Sequence, residues 1–162
     1  MEKKNHLDER HYKKNKEDHI IKWYKDEIWG KRIQNDNLLF EVMSLQIFQA
    51  GLKWKSTLLR RDEFRAAFNE WKIEEVALFE GQKINQMVNN SSIIRNRNKI
   101  EACIKNAEII NKIKEENNTF CNWFYNETGG NELKSLQKIM IEKFKFMGPE
   151  IARMWLMASG RI

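Results

Sequence analysis

The strongest pattern in the chain is the run from Leu38 to Ala50, in which apolar residues fall on nearly every face of a helix. Such a run indicates a helix enclosed by the core rather than one lying on its surface. Asp36 precedes it as the predicted N-cap, and Gly51 follows as a glycine that can end a helix. We therefore predict a central, buried helix. Gln46 is one of its few polar residues, and a buried amide must be either hydrogen-bonded or useful.

Apolar residues also recur at helical spacing through the rest of the chain, and no segment alternates as a strand would. Ser91-Ser92 separates a short predicted helix from a long one, and Pro149 suits the first turn of a last helix. The predicted helices after the central one cover residues 54–68, 74–79, 84–90, 100–110, 133–144 and 149–158. The pattern predicts an all-α fold of about seven or eight helices.

The first 19 residues differ from the rest because nearly all of them are charged or polar. We predict a mobile tail or a solvated helix over 1–19 and one helical domain over 20–162. This segment also holds all three histidines, His6, His11 and His19. No cysteine accompanies them and their spacing matches no standard metal site, so no metal is predicted there.

Composition supports a folded core and a polyanionic partner. Aromatic residues make up 11% of the chain, with six Trp and nine Phe, and rings in that number need a core. The net charge of +6 favours nucleic acid or an anionic membrane surface, although an Asn- and Lys-rich composition raises the charge without any function. No apolar run reaches the ~18 residues of a membrane helix and no signal peptide is recognisable.

The two cysteines, Cys103 and Cys121, have no metal-ligand spacing. We interpret them as free, buried thiols of a protein in a reducing cytosol, associated with the nucleoid if its partner is DNA. No cofactor is predicted. No heptad pattern is recognisable, which makes a monomer the default.

One candidate for DNA-backbone binding is the predicted helix, turn and helix from Val88 to Ile100. A turn between two helices exposes backbone N–H groups at the positive end of the second helix dipole. Ser91 and Ser92 form the turn, and three cations that could complete a phosphate seat follow it: Arg95, Arg97 and Lys99. The alternative is a solvated basic helix face, and local sequence does not separate the two.

A second candidate is a pocket for a base that has left the DNA stack. Tyr24 and Trp54 are aromatic residues that can stack on such a base, and Leu52 can fill the gap that it leaves. Gly51 and Lys53 flank Leu52 in the same exposed-looking turn. Aromatic residues in these places more often belong to the core. A functional interpretation is favoured only if the base pocket, the wedge residue Leu52 and the phosphate seat after Ser92 occur together.

Six separated motifs carry a resemblance to a known family. They are Tyr24-x-Asp26-x-x-Trp29-Gly30, Leu39-Phe40-Glu41, Gln49-Ala50-Gly51-Leu52-x-Trp54, Phe64-Arg65-x-Ala67-Phe68, Ile93-Ile94-Arg95-Asn96-Arg97-x-Lys99-Ile100 and Phe144-Lys145-Phe146-x-Gly148. In this order, over about Tyr24 to Gly160, the chain resembles the DNA-3-methyladenine glycosylase I family.

The resemblance implies a helix-hairpin-helix fold and a monofunctional DNA repair glycosylase that flips 3-methyladenine out of duplex DNA and hydrolyses its glycosidic bond. It also implies roles for residues. Tyr24 and Trp54 would sandwich the flipped base, Leu52 would plug the stack, and the hairpin from Ser91 to Lys99 would hold the backbone. The implied base pocket is Tyr24, Trp29, Gln46 and Trp54, with catalysis resting on Gln46, Tyr24 and Trp54. The alternative is a homologue that binds DNA lesions without cutting, or one of altered specificity.

The chain departs from the family pattern at three points. Gln46 stands where the family usually has a glutamate that reads the base, so the charge that favours a cationic base is missing. We predict no zinc, because Lys25 replaces the first His of the family's zinc site, no Cys precedes Cys103, and the given chain stops at Ile162 before the last two ligands. Ser92 stands where the family often has glycine, which predicts a differently shaped hairpin.

Overall fold

A computed structural model describes residues 2–162, with side chains described from residue 8 onward. Over these residues the chain forms helices and no strand, which confirms the all-α prediction. The α-helices are α1 (Glu2–Trp23), α2 (Asp36–Gln49), α3 (Trp54–Leu58), α4 (Arg61–Ala67), α5 (Ile73–Val76), α6 (Gly81–Val88), α7 (Arg97–Asn117), α8 (Phe120–Asn122), α9 (Leu133–Lys143) and α10 (Pro149–Ala158).

The described residues thus hold ten α-helices, more than the seven or eight expected. The number is higher because the predicted helix 54–68 is divided into α3 and α4, and because α8 has three residues, too few for an apolar period to show in the sequence. The predicted short helix at 74–79 corresponds to α5. Two π-helical turns, Tyr24–Ile28 and Trp123–Glu127, continue α1 and α8. None of the described helices combines the length and apolar character of a membrane-spanning segment.

The first helix runs across the predicted boundary between residues 19 and 20 without a break. From Asp8 to Lys16 its described side chains are solvent-exposed. His6 lies outside the described side chains.

Helix α2 is the centre of the fold, as predicted. Its ten residues from Leu39 to Phe48 are all buried, and α10, α3 and α7 pack around it. The predicted cap at Asp36 was wrong by one residue, because the Asn35 side chain accepts the Leu38 N–H at 3.0 Å. The Asp36 carboxylate instead accepts the N–H groups of Phe120 and Cys121 at the start of α8.

A buried carboxylate on α2 fixes the segment that carries Trp54. Glu41 is 1% exposed, and the guanidinium of Arg61 donates to both of its oxygens, at 3.0 and 3.2 Å. Arg65 adds a third contact at 3.4 Å. A paired, bidentate geometry of this kind is what keeps a buried charge tolerable. It anchors α4, and with it the short helix α3, against α2.

The C-terminal end of the chain is tied to two earlier segments. The phenol of Tyr125 bridges them, donating to the Ser159 carbonyl and accepting from the Ile33 N–H. Gly160 packs so closely that a Cβ there would lie 2.8 Å from the Gly30 oxygen. Arg161 is 7% exposed and donates to three carbonyls, those of Phe124, Gly129 and Gly130, and to the side chains of Thr128 and Asn131.

Candidate base pocket and nucleic-acid interface

Gln46 and Tyr24, two of the four predicted pocket residues, meet in the interior. Gln46 is fully buried on α2, and its Nε2 donates to the Tyr24 hydroxyl at 3.3 Å. Its Oε1 accepts from Gln49 Nε2, also at 3.3 Å. The buried amide is therefore hydrogen-bonded at both ends, and its orientation is set by two neighbours.

The Tyr24 phenol is a neutral group in this environment. Burial raises the pKa of Tyr24 to about 12, and the hydrogen bond from Gln46 opposes part of that rise. The hydroxyl therefore keeps its proton throughout the neutral range. It can donate or accept a hydrogen bond beside a bound base, but it is no general base.

Aromatic rings surround Tyr24 without leaving a slot for a base. The centroids of the Trp54 and Tyr24 rings are 4.6 Å apart, and the two rings are tilted by 56°. The centroid of the Trp29 ring is 6.2 Å from that of Tyr24. A base between two parallel rings needs about 7 Å, twice the ~3.4 Å rise of stacked bases. The expected sandwich is therefore absent from this conformation, because the two rings contact each other directly.

A cavity of about 410 Å³ opens on the other side of Gln46, between the end of α2 and the start of α10. Its volume is within the roughly 300–1,000 Å³ of small-molecule sites. Of the four predicted pocket residues, only Gln46 lines it. The other lining residues are Gln49, Ala50, Gly51, Leu52, Gly148, Pro149, Glu150 and Ile151.

Gln49 and the 148–151 segment were not predicted as parts of this cavity. Gln49 follows Gln46 by three residues, a spacing that places both side chains on one helix face. The sequence therefore contained the information that Gln49 lies beside Gln46. The contribution of α10 had no such signal, since about a hundred residues separate it from α2.

Leu52 lies at the rim of this cavity and points into solvent. It is 49% exposed, and its N–H donates to the Gln49 carbonyl at 2.7 Å in the turn that ends α2. Gly51 makes the turn with a φ of +77°, a conformation that costs glycine little. Together with exposed Lys53, the turn has the form of an apolar wedge beside a cation.

The segment predicted as helix, turn and helix consists of α6, residues 89–96 and α7. Ser92 keeps a negative φ, and its N–H donates to Asn90 Oδ1 at 2.9 Å, so this turn has no need of glycine. Arg95 and Arg97 are exposed beside it. The Arg97 guanidinium contacts Asn85 at 2.9 Å and Glu101 at 3.3 Å, both on the protein surface, where a phosphate can compete for it.

The assignment of Lys99 to the phosphate seat was wrong. Lys99 is 4% exposed, and its Nζ donates to the carbonyls of Phe48 and Ala50 at 2.8 and 2.7 Å. Burial lowers the pKa of this ammonium. A cation at the C-terminal end of a helix satisfies carbonyls that the helix leaves free. Lys99 thus holds the turn that carries Leu52 and does not face DNA.

The described residues do not fit the zinc site of the family pattern. No group of three or more His, Cys, Asp or Glu among them is arranged to hold a metal ion. Lys25, in place of the first histidine, is exposed, while Cys103 is buried in the core, where burial raises its pKa to about 12.

Known proteins resemble this chain in sequence and in fold. The model of the methyladenine glycosylase family matches residues 14–162. DNA-3-methyladenine glycosylase 1 of Escherichia coli is 27% identical over 157 residues, which cover 86% of this chain and 84% of that protein.

Two solved structures have similar folds. A 3-methyladenine DNA glycosylase I with a tyrosine-to-phenylalanine mutation, in complex with 3-methyladenine, gives a TM-score of 0.78 at 25% identity, covering 88% of this chain and 86% of that one. A glutamate-to-glutamine mutant of the enzyme from Staphylococcus aureus also gives 0.78, at 26% identity, covering 89% and 87%.

Proposed function

Because the chain belongs to the methyladenine glycosylase family, we propose that it excises 3-methyladenine from damaged double-stranded DNA by hydrolysing the N-glycosidic bond. The observation that carries this proposal for the site is the buried pair of Gln46 and Tyr24 beside a cavity whose rim is the exposed Leu52. Flipping an altered base requires a pocket to receive it and a side chain to replace it in the stack.

The reaction suits a site with few reactive groups. A 3-alkylated adenine carries a positive charge and is a good leaving group, so extrusion, stacking and hydrogen bonding supply most of what catalysis needs. The neutral Tyr24 and the amide of Gln46 can hydrogen-bond to the base edge. Trp54 can stack on it once its ring moves off Tyr24. We propose Gln46, Tyr24 and Trp54 as the catalytic residues, with Trp29 as the outer wall of the pocket.

The amide of Gln46 sets the selectivity of this pocket. A glutamate would attract a cationic base by charge, whereas an amide offers hydrogen bonds of similar shape without that attraction. The difference between a neutral and a charge-assisted hydrogen bond is about 1.4 kcal/mol, or roughly tenfold. We therefore expect weaker discrimination of the alkylated base from normal adenine than a carboxylate would give.

The decisive measurement is release of free 3-methyladenine from methylated duplex DNA by the wild-type protein, with Gln46→Glu alongside and unmethylated duplex as control. We expect release by the wild type and roughly tenfold faster release by Gln46→Glu. No release by the wild type, with release by Gln46→Glu, would contradict the proposal and favour a protein that binds lesions without cutting. The neutral amide at Gln46 is the observation that supports this second candidate.

Arg97→Ala should weaken binding to all duplexes alike and lower the salt slope of the binding constant by about 1, because a phosphate contact carries no sequence information. Titrations at several salt concentrations measure this slope. Lys99→Met is the matched contrast, because the Lys99 ammonium donates to two carbonyls. This substitution should lower the stability of the fold by about 2 kcal/mol and leave the salt slope unchanged. An unchanged slope for Arg97→Ala would remove the hairpin from the interface.

The rest of the interface follows from the same proposal. Gly51, Leu52 and Lys53 enter or flank the vacated stack, and Ser91, Ser92, Arg95 and Arg97 hold the backbone. We further propose that the protein acts as a monomer, without metal or cofactor, on nucleoid DNA in the cytoplasm.

A further inference from the structure

Phe146 is an exposed aromatic residue in a strained turn between α9 and α10. Its side chain is 41% exposed and its φ is +53°, in the left-handed region that a residue with a Cβ rarely adopts. Its neighbours Phe144 and Met147 are buried. The turn therefore places one ring in solvent although hydrophobic burial and backbone preference both oppose it.

A buried side chain holds the backbone in this conformation. Asn106 on α7 is fully buried, and its Oδ1 accepts the Lys145 N–H at 2.7 Å while its Nδ2 donates to the Lys145 carbonyl at 3.1 Å. The Asn106 amide thus fixes both the backbone N–H and the carbonyl of Lys145, the residue before Phe146. Strain that is held in this way by its surroundings is characteristic of functional sites.

The Phe146 ring lies at the same edge of the molecule as the Leu52 turn. Its centroid is 5.9 Å from Lys99 Nζ, the ammonium that binds the Ala50 carbonyl at 2.7 Å. Leu52 follows two residues after Ala50, and Gly148, two residues after Phe146, lines the same cavity as Leu52. Two exposed apolar side chains therefore flank one cavity.

We propose that Phe146 is a second DNA-contacting residue, which stacks on a base next to the lesion while Leu52 occupies the vacated position. Apolar side chains such as Leu and Phe are the ones that enter unstacked base steps. Each of the two has an exposed lysine beside it, Lys53 and Lys145, placed to meet the adjoining phosphates. The inference rests on the proposed function and names a residue for it that contacts DNA outside the base pocket.

The test uses a duplex that carries an abasic-site analogue with 2-aminopurine beside it, so that both affinity and local stacking are measured. Phe146→Ala should weaken binding about tenfold, within the range for loss of one base–aromatic stack, and should abolish the fluorescence change. Phe146→Gly should lose as much binding while being more stable to heat than Phe146→Ala, because glycine tolerates the left-handed backbone. Tyr12→Ala removes another exposed aromatic ring and should bind as the wild type does.

Binding and fluorescence equal to wild type in both Phe146 variants would overturn this inference and leave the glycosylase proposal intact. A wild-type protein that binds the abasic duplex no better than an intact one, and releases no 3-methyladenine, would overturn both. Loss of binding in Phe146→Gly with an intact thermal transition is the result that supports a contact with DNA over a role in folding.

Discussion

Replacing Trp54 by alanine is expected to lower the rate of 3-methyladenine release by about tenfold to a hundredfold. The Trp54 indole is half-buried against Tyr24 and can move onto a flipped base, whereas the Tyr24 ring is buried and hydrogen-bonded to Gln46. Base–aromatic stacking contributes roughly 1–3 kcal/mol, which sets the size of the loss. Single-turnover release from methylated duplex, normalised to folded protein, measures it.

Trp54→Phe is the matched control, since it keeps an aromatic face at the same position and should retain most of the activity. Because Trp54 is half-buried against Tyr24, the thermal transition of each variant has to be recorded beside its activity. Undiminished release by Trp54→Ala would show that the base binds elsewhere, for example wholly within the cavity between α2 and α10.

Replacing Arg161 by alanine is expected to lower the free energy of unfolding by about 3–5 kcal/mol. The guanidinium is buried, and its removal takes the donor from the carbonyls of Gly129 and Gly130 and one of two donors from that of Phe124, which the Thr128 hydroxyl also contacts. A hydrogen bond to a charged group contributes about 1.5–3 kcal/mol, and water replaces part of this at the exposed residues Gly129 and Gly130. The shift of the urea midpoint, at an unchanged m-value, measures the effect.

Arg153→Ala on α10 provides the comparison, because that arginine pairs with exposed Glu150 at the surface. It should leave the urea midpoint almost unchanged, as expected for an exposed ion pair. If the two variants shifted the midpoint equally, the Arg161 contacts would contribute nothing particular to stability.

The sequence was sufficient for the fold class and the central helix because their signal is local. Ten consecutive residues of α2 are buried, and a segment that is apolar on all faces has no stable place outside a core. The separation of α6 from α7 was equally visible, since a polar segment divides two helical periods. The meeting of Tyr24 with Gln46 and Trp54 followed from the family motifs, not from any pattern within one segment.

The features that sequence analysis got wrong depend on contacts between distant segments. Lys99 looked like its neighbours Arg95 and Arg97, but its ammonium binds a carbonyl 51 residues earlier in the chain. The direct contact of Trp54 with Tyr24 is likewise a matter of ring position, which motif order does not determine. Charge and aromatic character can be read from a sequence, whereas their exposure depends on the packed fold.

The closure made by Tyr125, Gly160 and Arg161 gives this fold a source of stability that involves no bound ion. The Arg161 guanidinium is part of the chain, so it does not dissociate on dilution, and it does not react with thiol oxidants. The join between the end of the chain and its earlier segments is therefore independent of how much free zinc surrounds the protein. Heat and denaturants remain able to open it, but chelators and competing metals have nothing in this closure to remove.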